Sequence, residues 1–135
     1  MRKYLLPETG NFYKANLHTH STYSDGEQTV EQIKELYMSR GYSVVAFTDH
    51  DVMIDQSHLN EDEKFLALTS YEIWTNNDAC GLPWSKMPCY HLNLYAKNPH
   101  ETYYPCANPR YAVMQDACSQ LAEYADSVGA HFAIE

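Results

Sequence analysis

The chain has only five glycines in 135 residues, and neither GxxxxGK[ST] nor GxGxxG occurs. Nucleotide binding through a phosphate-cradling loop is therefore not expected. No apolar run approaches the roughly 18 residues of a membrane span. The opening MRKYLLPETGNF lacks the apolar stretch and small-residue cleavage site of a secretory leader. Cations are scarce: 9 Lys and Arg stand against 18 Asp and Glu, a formal charge of −9. Nucleic-acid binding is disfavoured on that count, because it relies on Lys and Arg neutralising phosphates. Bound dications, in contrast, would offset the excess. Cys80, Cys89, Cys106 and Cys118 lie 9, 17 and 12 residues apart, which is neither CxxC nor a zinc-ribbon spacing. They read as buried free thiols of a cytoplasmic protein. The length suits one domain but falls short of the roughly 250 residues of a complete (β/α) barrel. With 44% apolar, 20% charged and 13% aromatic residues, the chain can bury a core and is not a disordered one.

Short apolar runs alternate with helical patterns. Residues 12–18 read as a strand entering a polar loop. Residues 29–40 read as a helix, with Thr29 and Gln32 as a capping box and Gly41 as a left-handed stop. Residues 43–48, SVVAFT, form a β-branched run suited to a strand buried on both faces. A short helix is expected within 56–64. Strands are expected at 65–71, ending at Glu72, and at 89–96 and 131–134, with a long helix over 110–128. Residues 76–87 and 98–108 read as loops. The order β-α-β-(α)-β-β-α-β is that of an α/β protein with a largely parallel sheet. Such sheets bind ligands beyond the carboxyl ends of their strands.

The chemistry-bearing residues fall at that end. His18 and His20 close the first strand as H-T-H, and Asp25 follows in S-D-G. His50 sits in T-D-H-D after the second strand, Glu72 ends the third, and His91 lies in the fourth. In extended backbone, His-x-His turns both imidazoles to one side. Imidazoles mixed with carboxylates suit Zn, Mn or Fe better than Mg, which prefers oxygen ligands. A carboxylate such as Glu72 can bridge two ions. Asp49, beside His50, is expected to steady an imidazole tautomer. Taken singly these signals are weak, since HxH pairs and loop carboxylates are common; the joint pattern carries the reading. His58 reads as a surface histidine, His100 as a loop residue and His131 as a strand-start residue. Lys86, Arg110 and Asp51 read as solvated side chains, and Trp74 and Trp84 as packing residues.

The stretch N16-L-H-T-H-S-T-Y-S-D-G26, followed by V45-A-F-T-D-H-D51, resembles the first two motifs of the PHP (polymerase and histidinol phosphatase) family. Y71-E-I73 and C89-Y-H-L-N-L-Y95 resemble, more loosely, its glutamate motif and a later histidine strand. The resemblance implies a distorted TIM-like barrel of seven βα units, of which residues 1–135 would be the front part, incomplete at the C-terminus. The histidine-proline motif and the later ligands of the family would follow Glu135. It implies two or three divalent ions: His18 and His20 on the first, Glu72 bridging to a second bound by His91, and Asp25 and His50 on a third. The implied activity is metal-dependent hydrolysis of a small-molecule phosphate ester. Amidohydrolase-type hydrolysis and a non-catalytic, metal-stabilised module are the alternatives. No general acid or base stands out.

Overall fold

A computed structural model describes residues 9–76, 83, 89–100, 102 and 130–134. The expected helix at 110–128 and most of both long loops lie outside the described residues. Five strands form one mixed sheet in the order β1 (Ala15–Asn16), β2 (Val44–Phe47), β3 (Leu66–Asn76), β4 (Cys89–Ala96), β5 (Ala130–Ile134). The architecture is mixed α/β, with a curled, half-barrel sheet. Helix α1 (Val30–Ser39) links β1 to β2, and a 3-10 helix (Ser57–Glu61) precedes β3.

Local sequence explains α1 at both ends. Thr29 Oγ1 accepts from the Gln32 N–H at 3.3 Å, while Gln32 Oε1 accepts from the Thr29 N–H at 3.0 Å. This is the expected reciprocal cap. At the other end Gly41 takes φ +78°. Its N–H reaches Met38 O and the Tyr42 N–H reaches Tyr37 O, each at 3.0 Å, the paired bonds of a Schellman stop. Val30 and Ile33 carry the buried stripe of α1. They pack with Val45, Phe47, Leu59, Phe65 and Ala67 into one apolar cluster. Val45, Ala46 and Phe47 are successive and all buried, so β2 is covered on both faces as its composition predicted.

Three expectations need correction. The sheet is not largely parallel: β1–β2 and β2–β3 are parallel, but β3–β4 and β4–β5 are antiparallel. One reversed strand, β4, produces both antiparallel pairings, and apolar periodicity carries no information about strand direction. The first strand is shorter than 12–18. Only Ala15–Asn16 enters the ladder; beyond it Thr19 O still accepts from the Thr48 N–H at 2.8 Å. Third, β3 does not stop at Glu72 but runs on to Asn76, because β4 pairs with it along that whole extension.

Candidate metal centre

The H-T-H segment lies beside the carboxyl end of β2, and its alternation brings both rings to one side. The His18 and His20 rings stack with centroids 4.8 Å apart, and their Nε2 atoms approach to 2.9 Å. After His20 the chain doubles back. The Ser24 and Gly26 N–H groups both reach Ser21 O, at 3.1 and 2.9 Å, and this turn delivers Asp25 to His20. Asp25 Oδ1 lies 2.7 Å from His20 Nδ1. The hydrogen bond from His20 holds the Asp25 carboxyl below the ordinary range against the penalty of its desolvation, and the nearby His20 and His50 rings add to the lowering. Gly26 is required sterically: a Cβ there would lie 2.3 Å from His20 O and 2.8 Å from Ser21 Cα, both backbone atoms.

Asp49 shapes the same turn. It is buried, and it accepts from the Ser21 N–H at 2.7 Å, Ser21 Oγ at 2.9 Å and Ser24 Oγ at 2.8 Å. The expected role in steadying an imidazole is therefore corrected: all three of these bonds go to the serine turn. A carboxylate needs donors, and an N–H with two hydroxyls supplies them.

His50 and Glu72 meet at an isolated parallel bridge. The Asp51 N–H donates to Glu72 O at 2.8 Å, and Asp51 itself adopts φ +52°, a left-handed position that Asp tolerates better than most residues. The chain thus turns sharply just after His50. Glu72 is fully buried and central. Its Oε2 lies 2.8 Å from His20 Nε2, 3.2 Å from His50 Nδ1 and 3.5 Å from His18 Nε2. Its Oε1 contacts His91 Nδ1. His91 reaches it because β4 is reversed, so the start of β4 stands at the carboxyl end of β3. Register places Asn93 opposite Glu72 and His91 opposite Trp74.

The six sequence-predicted residues thus lie in one cluster. Two overlapping groups, His18–His20–Glu72 and His20–Asp25–His50, have candidate ligand atoms all within 4.8 Å of one another. His91 joins through Glu72. The donor set fits divalent cations on one further observation: both Glu72 carboxylate oxygens and His50 Nδ1 are buried without a directed hydrogen bond among the described residues. A buried carboxylate ringed by four imidazoles, yet accepting no directed hydrogen bond, suits cation coordination better than hydrogen bonding alone. Glu72 is enclosed, whereas the side chains of His18 and His50 are 29% exposed and that of Asp25 67%. The centre therefore opens to solvent on the Asp25 side.

The remaining candidates lie apart. His58 is exposed and 3.6 Å from Glu31. His100 pairs with Asp55 at 2.9 Å. Lys86, Arg110 and Trp84 are outside the described residues. Sequence reasoning missed Ser21, Ser24 and Asn93. The last had a signal, since period two from His91 puts Asn93 on the same face.

A family model described as PHP domain matches residues 16–107, more than half of the chain. The chain belongs to the PHP domain family. A 36-residue segment, 27% of the chain, is 53% identical to a phosphoribosyl 1,2-cyclic phosphate 1,2-diphosphodiesterase of Eggerthella lenta, and covers 14% of that protein's length. No helix among the described residues is long and apolar enough to cross a membrane.

Proposed function

We propose that the chain is a metal-dependent hydrolase of small-molecule phosphate esters, with two or three divalent ions, Mn, Zn or Fe, held by His18, His20, Asp25, His50, Glu72 and His91. The observation that carries this reading is the buried Glu72 carboxylate, ringed by four imidazoles and without a directed hydrogen bond among the described residues. The PHP family membership and the name of the Eggerthella lenta relative support phosphoric esters as the substrate class. The net charge of −9 favours a small ester over a nucleic-acid backbone, and a cytoplasmic location goes with this reading. Bound divalent ions supply two things here, a water acidified toward neutral pH and positive charge for the phosphoryl oxygens.

The side chains hold that arrangement ready. His20 donates Nδ1–H to Asp25, which leaves its Nε2 lone pair facing Glu72. Glu72 supplies fixed negative charge from inside the sheet, where water cannot compete for it. The exposed Asp25 side is the approach for the ester. The test is hydrolysis of a panel of phosphate mono- and diesters with Mn added, with metal content measured in parallel. His20→Ala is expected to abolish metal-dependent turnover, and His58→Ala, remote from the cluster, to keep it. Equal activity in His20→Ala and the wild type would overturn the reading.

A further inference from the structure

We infer that Asn93 is a positioning residue of the metal centre. Its side-chain oxygen accepts the Nδ1 proton of His18 and so fixes the His18 Nε2 lone pair toward Glu72 and His20. The inference rests on the proposed metal centre and adds to it a residue that is not itself a ligand.

Asn93 is fully buried on the Glu72 face of the sheet. Its amide stands 3.0 Å from His18 Nδ1 through Nδ2, while its Oδ1 is buried without a hydrogen bond among the described residues. Two amide orientations related by a half-turn of the last torsion fill the same space. With Nδ2 toward the ring, His18 must accept at Nδ1 and carry its proton on Nε2. That proton then points at His20 Nε2, 2.9 Å away. His20 can accept it, because its own proton goes to Asp25 from Nδ1. Such a chain is self-consistent without an ion but leaves His18 no lone pair to offer at Nε2. With Oδ1 toward the ring, Asn93 accepts Nδ1–H, its NH2 moves to the buried position where the oxygen found no donor, and the Nε2 lone pair of His18 converges with that of His20. Only the second orientation gives two converging imidazole lone pairs. A ligand histidine ordinarily needs such an acceptor behind it. The amide thus couples the tautomer of His18 to loading of the centre.

The experiment measures zinc affinity by calorimetry in the full chain for the wild type, Asn93→Leu and Asn93→Asp, with folding checked by circular dichroism. Asn93→Leu, of similar volume but unable to accept, is expected to bind zinc about 10–100-fold more weakly. Asn93→Asp, which can only accept, is expected to bind at least as tightly as the wild type. Wild-type affinity in Asn93→Leu would overturn the assignment while leaving the metal centre standing. No zinc binding by the wild type would overturn both. A long-range proton–nitrogen spectrum of the zinc-loaded wild type decides the matter if either variant fails to fold. A His18 ring protonated on Nδ1, with that proton protected from exchange, supports Asn93; zinc on Nδ1 with the proton on Nε2 refutes it.

Discussion

Replacing Asp49 separates two kinds of loss that the structure distinguishes. Asp49→Ala removes the acceptor for the Ser21 N–H, Ser21 Oγ and Ser24 Oγ, at 2.7, 2.9 and 2.8 Å. Hydrogen bonds to an ionised group contribute about 1.5–3 kcal/mol each, and an abandoned buried donor costs about 1–3 kcal/mol. Ser21 is fully buried, so water cannot replace the lost acceptor there. The three bonds share one carboxylate and are not additive, and its own desolvation offsets part of their sum. The expected destabilisation is about 3–5 kcal/mol. Asp49→Asn behaves differently. Its oxygen can occupy the Oδ1 position and keep both the Ser21 N–H and Ser24 Oγ. Its NH2 then faces Ser21 Oγ, a hydroxyl that can rotate to accept. The cost should fall to about 1 kcal/mol. Urea unfolding of the chain without added metal reads both. With a slope of about 2 kcal/mol per M, the Ala variant should lose about 2 M in midpoint and the Asn variant about 0.5 M. Equal midpoints for Asp49→Ala and the wild type would show that the serine turn does not depend on this carboxylate. Equal losses in both variants would show that charge, rather than acceptor count, holds the turn.

Three further outcomes follow from the geometry. Glu72→Gln keeps the side-chain volume but removes the charge shared by four imidazoles, so zinc affinity should fall by more than the about 100-fold seen when an outer partner is lost; calorimetry checks it. Gly26→Ala drives a methyl into the backbone of His20 and Ser21 and should cost about 1–3 kcal/mol, read as a lower urea midpoint. Asp55 is held down from an ordinary 3.8 to about 2, first by the Ser57 hydrogen bond and then by His100. Because the folded value is depressed, its stabilising contribution is present above the ordinary value and disappears as pH falls through about 2. Carboxyl NMR titration should find that midpoint, and it should move up toward 3.8 in Ser57→Ala.

Local chemistry was the legible part of the fold. The Thr29–Gln32 cap, the Gly41 stop and the doubly buried β2 all rest on interactions within a few residues, and each stands where the sequence put it. What periodicity does not encode is strand direction and where a ladder ends. The 65–71 run reads as a strand on its own residues, but β3 extends to Asn76 because β4 supplies partners along its whole length. Likewise 12–18 looks extended throughout, yet the ladder holds only Ala15–Asn16; beyond it Leu17 O accepts from the Tyr95 hydroxyl and His18 O from the Asn16 side-chain amide. The six cluster residues were legible as residue types with ligand chemistry at motif spacings. Their support was not. Asp49 sits beside His50 in sequence, which suggested a shared task, but its carboxylate is committed to the serines 25 and 28 residues earlier.

The reversed β4 is the step on which the cluster depends. His91 is the third of eight residues in Cys89–Ala96. Antiparallel pairing sets it opposite Trp74 and Asn93 opposite Glu72, so His91 is a diagonal neighbour of Glu72 on the same face. If β4 ran parallel to β3 over the same span, the place of His91 would fall to the sixth residue, Leu94. At about 3.3 Å per residue, His91 would then be displaced by roughly 10 Å along the strand, beyond the reach of an imidazole. Asn93 would move off its level as well, and His18 would lose the amide behind it. The contact between His91 and the buried carboxylate, together with the polar residue two positions later, therefore depends on the strand direction that apolar patterning leaves open. Here the polar residues are the better guide to topology. Two side chains of one strand, 91 and 93, have their partners, Glu72 and His18, at the carboxyl end of the parallel strands, and only one direction of β4 brings both there.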